Sequence, residues 1–159
     1  QFFVSSVDWR EKGYVTPVRQ QQECSSDWAI AATGALEGQH FNATGKLIPL
    51  SIQQLIDCSD AQGNQGCVNG TAIQSFQYMK QVGLEAETSY PYENIDYKCR
   101  VNTSLIVANA SGFTQVTSKD ENALQQAVAV TGPVAVMIDS NHPAFQLYKS
   151  GGRNIFQQN

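Results

Sequence analysis

The cysteines are the residues of this sequence whose type and spacing most directly imply chemistry. There are four of them, an even set, at Cys24, Cys58, Cys67 and Cys99. A zinc site would be expected to hold its cysteines in closer C-x-x-C pairs, so the spacing favours disulfides. Disulfides persist in oxidising compartments, and the set therefore indicates a protein of the secretory pathway.

Acceptor sites for N-linked sugars give a second and independent indication of the same compartment. An N-x-S/T sequon without proline begins at each of four asparagines, Asn42, Asn69, Asn102 and Asn109. Such a sequon is the acceptor sequence for N-linked glycans on the surface loops of secreted proteins. We expect a glycoprotein that is lysosomal or extracellular, and the sequence leaves both locations open.

The composition of the chain excludes several classes of function. With 159 residues, of which 42% are hydrophobic and 15% charged, it can bury the core of one globular domain. Its net charge is -4 and its lysines and arginines are scattered, so no basic face is offered to nucleic acid. No apolar run approaches the roughly 18 residues that a membrane-spanning helix requires. Neither nucleic acid nor a membrane is an expected partner.

The first half of the chain is patterned for helices. The run Trp28–Phe41 has apolar residues at helical spacing and predicts a long, largely buried helix. Ser51 and Gln54 match the S-x-x-Q capping box at the start of a second helix. A third helix is predicted from near Ala72 to a stop at Gly83.

The second half is patterned mainly for strands. Apolar and β-branched runs predict strands at 105–108, 112–116 and 134–138, and a helix is expected from about Glu121 to Val130. This order predicts an α+β fold with two lobes in a single domain, residues 1–159. The helical lobe would cover about 10–105, and the β-rich lobe would begin at about 106.

Several short runs, read in order, carry a resemblance to a known family. They are Val7-Asp-Trp-Arg10, Val15-Thr-Pro-Val18, Gln21, Cys24-Ser-Ser-Asp-Trp28, Gly34-Ala-Leu-Glu-Gly38, Gln54-Leu-Ile-Asp-Cys58, Ser89-Tyr-Pro-Tyr92 and Gly132-Pro133. From Val7 to about Lys149 the sequence resembles the papain-like cysteine peptidases of the cathepsin L type. The resemblance implies the papain-like two-lobe fold, with a helical N-terminal lobe and the start of a β-barrel-like second lobe whose C-terminal part is missing. It also implies that Cys24 pairs with Cys67 and Cys58 with Cys99.

The family's signature around its nucleophile is C-G-[SA]-C-[WY], and Cys24-Ser-Ser-Asp-Trp28 fits it at the first, third and fifth places. Asp27 therefore stands where the resemblance implies the catalytic cysteine. A carboxylate keeps the negative charge that a helix start favours, by about 0.3–1 kcal/mol, but it is a poor nucleophile toward an amide. We expect an inactive homologue. The plainer interpretation of Asp27 is that it stabilises its helix, and the alternative is a direct chemical or ligand-binding role.

The resemblance also bears on the other parts of the catalytic machinery. Gln21 matches the glutamine that donates to the oxyanion hole, although a purely structural bond to the helix start explains it equally well. The family's histidine and asparagine follow the nucleophile by about 130–150 residues, at about positions 157 to 177, so we expect both to be absent from the 159 residues. His40 and His142 come too early, and we expect them to be ordinary core or surface histidines.

The substrate-binding positions of the family match Asn69, Gly70, Thr71, Ala72 and Met137. The last three would line the main specificity pocket, although core packing is the plainer interpretation. Gln22 and Ser25 replace glycines of the family, so their side chains would narrow the groove. A glycan on Asn69 would stand on the non-primed side of the cleft and block substrate.

Three functions remain open. The first is a catalytically inactive pseudo-peptidase that keeps its scaffold for binding a peptide, an inhibitor or a protein. The second is a cysteine-type endopeptidase in inactivated or two-chain form, with a light chain or C-terminal remainder that supplies the histidine and asparagine. The third is a structural secreted glycoprotein like the sponge silicateins, which resemble this family and carry serine at the nucleophile place. No metal or other cofactor is expected, because no further carboxylate lies close to Asp27 in sequence.

Overall fold

A computed structural model describes residues 6–141 and 143–149 of the chain, so the prediction made for His142 lies outside the described residues. The helices are α1 (Asp27–Thr44), α2 (Ile52–Cys58), α3 (Ala72–Gln81), α4 (Glu121–Val130) and α5 (Pro143–Gln146), and the strands are β1 (Leu84–Glu85) and β2 (Ile106–Ala108). Short 3-10 turns occur at Asp60–Gln62 and Thr103–Leu105. Within the described part of the chain, no helix has the length and apolar character needed to cross a membrane.

Helix α1 is buried along its first three turns. Its inward residues are mostly small, such as Ala29 and Ala32, and this allows α2 and α3 to pack closely against it. The helix ends where Gly45 takes a left-handed conformation, φ 72°, and donates its N–H to the carbonyl of Phe41 at 2.8 Å. The predicted helix is therefore confirmed, and it extends three residues beyond Phe41 to Thr44.

Helix α2 begins at the predicted cap but uses it differently. The Ser51 hydroxyl accepts a hydrogen bond from the Gln54 N–H at 2.9 Å, as expected. The reciprocal half of the predicted capping box is wrong, because the Gln54 side chain turns inward. Its amide donates to the Tyr78 hydroxyl and the Gly83 carbonyl, each at 3.0 Å, and its oxygen accepts from the Glu85 N–H at 2.8 Å. Gln54 thereby ties α2 to α3 and β1.

One hydrophobic core lies between the helices of the first half. Leu36 of α1, Leu55 of α2 and Met79 of α3 meet there, and Leu84 and Tyr90 complete it. Each of these residues is buried. The core fixes α1 relative to the loops that follow α2 and α3.

The described residues form one small antiparallel sheet. Leu84 of β1 lies opposite Ala108 of β2, and Glu85 lies opposite Ile106. The strand predicted at 105–108 starts one residue late, because Thr103–Leu105 form a 3-10 turn. The strands predicted at 112–116 and 134–138 are wrong, since these residues have no regular secondary structure. A strand needs a partner for its backbone groups, and no described segment pairs with either of them.

The chain after β2 is anchored on α1 and on the N-terminal segment. Helix α4 spans the predicted residues, and the Trp9 indole N–H donates to the carbonyl of Val128 within it at 2.8 Å. The Gln39 amide donates to the Thr131 carbonyl at 2.7 Å. A methyl group on Gly38 would lie 2.8 Å from Cδ of Pro133, so the chain passes directly over that glycine. The division into two lobes at about 106 remains a prediction.

Candidate functional site

The start of α1 presents one charged side chain to solvent. Asp27 is the first residue of the helix and is exposed, while Ser26 before it is buried. The Ser26 carbonyl accepts from the N–H groups of Ala29 and Ile30, each at 3.0 Å, and its hydroxyl bonds the Tyr92 hydroxyl at 2.9 Å. The buried serine therefore fixes the first turn, and Asp27 lies at the positive end of the helix dipole.

Both predicted disulfides are confirmed, Cys24–Cys67 and Cys58–Cys99. They use all four cysteines of the sequence, so none of these residues offers a thiol. Asp96 lies near Cys24 and Cys67, but sulfurs joined in a disulfide are not thiolate ligands for a metal. A nucleophilic cysteine would have to come from outside these 159 residues.

The Cys24–Cys67 bridge holds a loop beside the start of α1. The Ser25 N–H donates to the Cys67 carbonyl at 3.2 Å, and the Cys67 N–H donates to an Asp96 carboxylate oxygen at 2.6 Å. A methyl group on Gly70 would lie 2.4 Å from the Trp28 ring. Residues 67–70 and 24–28 therefore lie directly against one another and form one surface around the start of α1.

Asn64 organises this loop and was missed by the sequence analysis. It is only 3% exposed, its oxygen accepts from the Thr71 N–H at 2.9 Å, and its amide donates to the Ser59 hydroxyl at 2.8 Å. A single asparagine outside any motif gives no signal of such a role. Burial of both ends of its amide is visible only in the folded chain.

Gly70→Ala should destabilise the protein by about 1–3 kcal/mol, because the added methyl group overlaps the Trp28 ring and overpacks this contact. The measurement is urea unfolding followed by tryptophan fluorescence. Gly34→Ala is the matched control, since Gly34 lies in α1 with no atom within 4 Å of the position of the new methyl group. That control should raise stability by about 0.5–1 kcal/mol through helix propensity. Equal effects in the two variants would contradict the contact.

Two buried polar atoms within residues 21–28 have no hydrogen-bond partner among the described residues. They are Oε1 of Gln21 and Nε1 of Trp28. The Gln21 carbonyl accepts from the Tyr92 hydroxyl, and the next residue, Gln22, has a left-handed backbone with φ 55°. A buried polar atom without a partner costs about 1–3 kcal/mol, so these atoms are where a bound polar group would gain most.

The other predicted binding residues are only partly brought together. Asn69 is exposed beside Gly70, Thr71 caps α3 by accepting from the Gln74 N–H at 3.2 Å, and Ala72 packs on the core. Met137 is 89% exposed, so the described residues do not enclose a pocket around it. Its grouping with Thr71 and Ala72 stays a prediction.

His40 is remote from Asp27 along the same helix. It follows Asp27 by thirteen residues within α1, which corresponds to about 20 Å of helix rise. That separation prevents its imidazole from acting on a group bound at Asp27, in agreement with the expectation of an ordinary histidine.

Comparison with known proteins gives consistent matches along the chain. The family model described as papain family cysteine protease matches residues 3–159. Cathepsin L2 of Homo sapiens is 55% identical over 147 residues, which are 92% of this chain and 44% of that protein. Digestive cysteine proteinase 2 of Homarus americanus is 49% identical over 148 residues, 92% of this chain and 46% of that protein. The chain thus spans less than half the length of these relatives.

Solved structures agree with the sequence matches. The digestive procathepsin L2 proteinase from Tenebrio molitor larval midgut superimposes with a TM-score of 0.88 at 38% identity, covering 95% of this chain and 48% of that one. Digestive procathepsin L 3 from the same tissue gives a TM-score of 0.80 at 41% identity, covering 83% of this chain and 43% of that one. The fold expected from the resemblance is confirmed by these neighbours.

Proposed function

This chain belongs to the papain family of cysteine proteases, and on that premise we propose that it binds a peptide, an inhibitor or a protein partner without hydrolysing peptide bonds. One observation carries the proposal. The exposed first residue of α1 is Asp27, at the place to which the resemblance assigns the family's cysteine, and all four cysteines of the sequence are in disulfides.

The chemistry of the carboxylate supports this proposal. Cysteine peptidases depend on a thiolate whose pKa is lowered by a helix N-terminus and a paired histidine. A carboxylate at the same place interacts favourably with the helix dipole but is a weak nucleophile toward an amide carbonyl. The arrangement therefore retains the charge of the site and loses its reactivity.

A second candidate is cathepsin L-like proteolysis. The 55% identity to Cathepsin L2 favours it, because sequence similarity at this level is consistent with a shared activity. This candidate requires a nucleophile and a base that the four cysteines and His40 do not provide. The base would have to come from a light chain or from the C-terminal remainder, and Asp27 itself would have to act as the nucleophile.

Exposed apolar side chains support a proposal about partners. Val136 is 56% exposed, Met137 89% and Leu147 79%. Exposure of large apolar side chains supports an interaction surface in this part of the chain. We expect the covering segment to be a C-terminal remainder of the same protein or a light chain cut from it.

The proposed location is the secretory pathway, with the protein delivered to lysosomes or to the extracellular space. Two disulfides support it, because bridges of this kind persist in oxidising compartments.

The test is the intact mass of the natively purified protein, reduced and unreduced, after N-glycans are removed and a peptidyl epoxide specific for papain-like thiols is added. We expect no adduct, no hydrolysis of a fluorogenic peptide, and a second mass if a companion chain is present. Asp27→Cys should gain one adduct, because a thiol at a helix N-terminus ionises near neutral pH. Asp27→Asn is the control that removes the charge without adding a thiol. Adduct formation or hydrolysis by the native protein would overturn the proposal in favour of the peptidase.

A further inference from the structure

The sequon Asn69-Gly70-Thr71 lies beside the start of α1, because Gly70 lies against the Trp28 ring. We propose that Asn69 carries an N-linked glycan and that this glycan covers the surface around Asp27 and excludes peptides from it. The inference deepens the proposed function and rests on it in part, since it narrows the binding role to ligands that bind away from Asp27.

The position of Asn69 follows from the contacts on either side of it. Cys67 is bridged to Cys24, and the Cys67 carbonyl accepts from the N–H of Ser25. Gly70 lies directly against the Trp28 ring. Asn69 stands between these two attachments and is exposed, so it lies on the surface beside the start of α1.

The Asn69 side chain is available for modification. The residue is exposed, and it lies in a tight turn in which the Gln65 N–H donates to its carbonyl at 2.8 Å. Its amide nitrogen Nδ2 makes one side-chain bond, a donation to Oε1 of the exposed Gln65 at 3.2 Å. One hydrogen on Nδ2 serves that bond, and the other is free to be replaced by a sugar.

The other sequons differ in how the fold uses the asparagine. Asn42 lies within α1 and its oxygen accepts from the Tyr14 hydroxyl at 2.9 Å, and Asn102 accepts from the Ser104 N–H at 3.1 Å. Asn109 is the least suited. Its nitrogen donates to the Val82 carbonyl at 3.3 Å and is packed so closely on Gly83 that a methyl group there would lie 2.4 Å from it.

The sugar is transferred to Asn69 from a lipid-linked diphosphate oligosaccharide in the secretory pathway. In this transfer the bond between the anomeric carbon of the sugar and the phosphate oxygen breaks. A bond forms between that carbon and Nδ2 of Asn69, which loses one proton, and the lipid diphosphate leaves. The remaining hydrogen of Nδ2 keeps its donor role toward Gln65.

Occupancy is measured by site-specific mass analysis of glycopeptides from the natively secreted protein. We expect glycan on Asn69, its loss in Asn69→Gln, and its retention in the control Asn109→Gln, which leaves the Asn69 sequon intact. Thr71→Ser preserves both the sequon and the α3 cap, so it should keep the glycan as well. An unmodified Asn69 would overturn the inference.

Access to position 27 is then probed in the Asp27→Cys variant with two thiol reagents. A peptidyl epoxide should react about tenfold faster after the glycan is removed, or in Asn69→Gln, as expected if the glycan leaves this position uncovered about a tenth of the time. Iodoacetamide, which is small enough to pass beside a glycan, should react equally in all forms and shows that the reactivity of the thiol itself is unchanged. An unchanged epoxide rate would overturn the steric role. Failure of the proposed function is a separate outcome, because it would appear as hydrolysis by the native chain, which keeps Asp27, with or without its glycans.

Discussion

Replacing Cys58 and Cys99 together by serine is expected to lower the free energy of unfolding by about 4 kcal/mol, the chain-entropy estimate for a loop of this length. The bridge joins residues with a sequence separation of 41. The double substitution leaves no unpaired thiol at the site, so the loss reports the bridge itself. Urea unfolding followed by tryptophan fluorescence measures it.

The bridge matters because the segment it holds has little regular structure. Side chains of α2 fasten that segment: the Gln53 amide donates to the Ile95 carbonyl at 2.7 Å, and Asp57 accepts from the Tyr97 N–H at 2.9 Å. Asp57 also accepts from the Tyr90 hydroxyl at 2.7 Å, and burial, followed by this bond, raises the pKa of Tyr90 so that it stays a donor. Without the bridge these bonds alone must order the segment.

The control for the disulfide is Lys98→Ala, an exposed substitution next to Cys99. It should change stability by no more than about 0.5 kcal/mol. A double-serine variant with the same urea midpoint as the native protein would show that the loop is already constrained in the unfolded chain.

Glu37→Ala is expected to destabilise the protein by about 3–5 kcal/mol, because it removes the buried member of an ion pair and every hydrogen bond that this carboxylate accepts. The Glu37 side chain is 2% exposed and accepts from Arg19 at 2.6 Å, from the Thr16 hydroxyl at 2.7 Å and from the Leu50 N–H at 2.8 Å. Its loss leaves the buried Leu50 N–H without a partner, while Arg19 keeps only the Leu50 carbonyl at 2.9 Å and the Glu87 carboxylate at 3.8 Å. Urea unfolding at neutral pH measures the effect.

An exposed ion pair of the same length provides the matched control. Glu93 and Arg100 are also 2.6 Å apart, but their side chains are 35% and 42% exposed. Glu93→Ala should cost at most about 1 kcal/mol, because solvent screens the pair. Equal losses in Glu37→Ala and Glu93→Ala would mean that burial does not govern the difference.

The helices of this protein could be predicted from the sequence because their signals are local. Helix α4 has the predicted bounds, and Asp120 caps it by accepting from the Ala123 N–H at 2.9 Å. Strands depend on a partner elsewhere in the chain. Residues 134–138 are apolar enough for a strand, yet nothing described pairs with them, while β1 is formed by only Leu84 and Glu85 because β2 and Leu50 lie beside it.

Some features of the candidate site could also be predicted from the sequence, and others depend on contacts between distant parts of the chain. The resemblance gave the disulfide pairing and placed Asp27 at the head of α1, where the structure has it. It gave no hint that Gly70 lies on the Trp28 ring or that Asn64 holds Thr71. Those contacts depend on how separate loops approach one another, which periodicity and spacing along a single chain do not encode.

The backbone at Gln22 lies in a conformation that glycine adopts most readily. Its φ of 55° costs residues other than glycine about 1–3 kcal/mol. The bond from Tyr92 to the Gln21 carbonyl and the bridge at Cys24 hold the main chain on both sides of this residue. The loop therefore tolerates a strained backbone before α1, because contacts on either side over-determine its course.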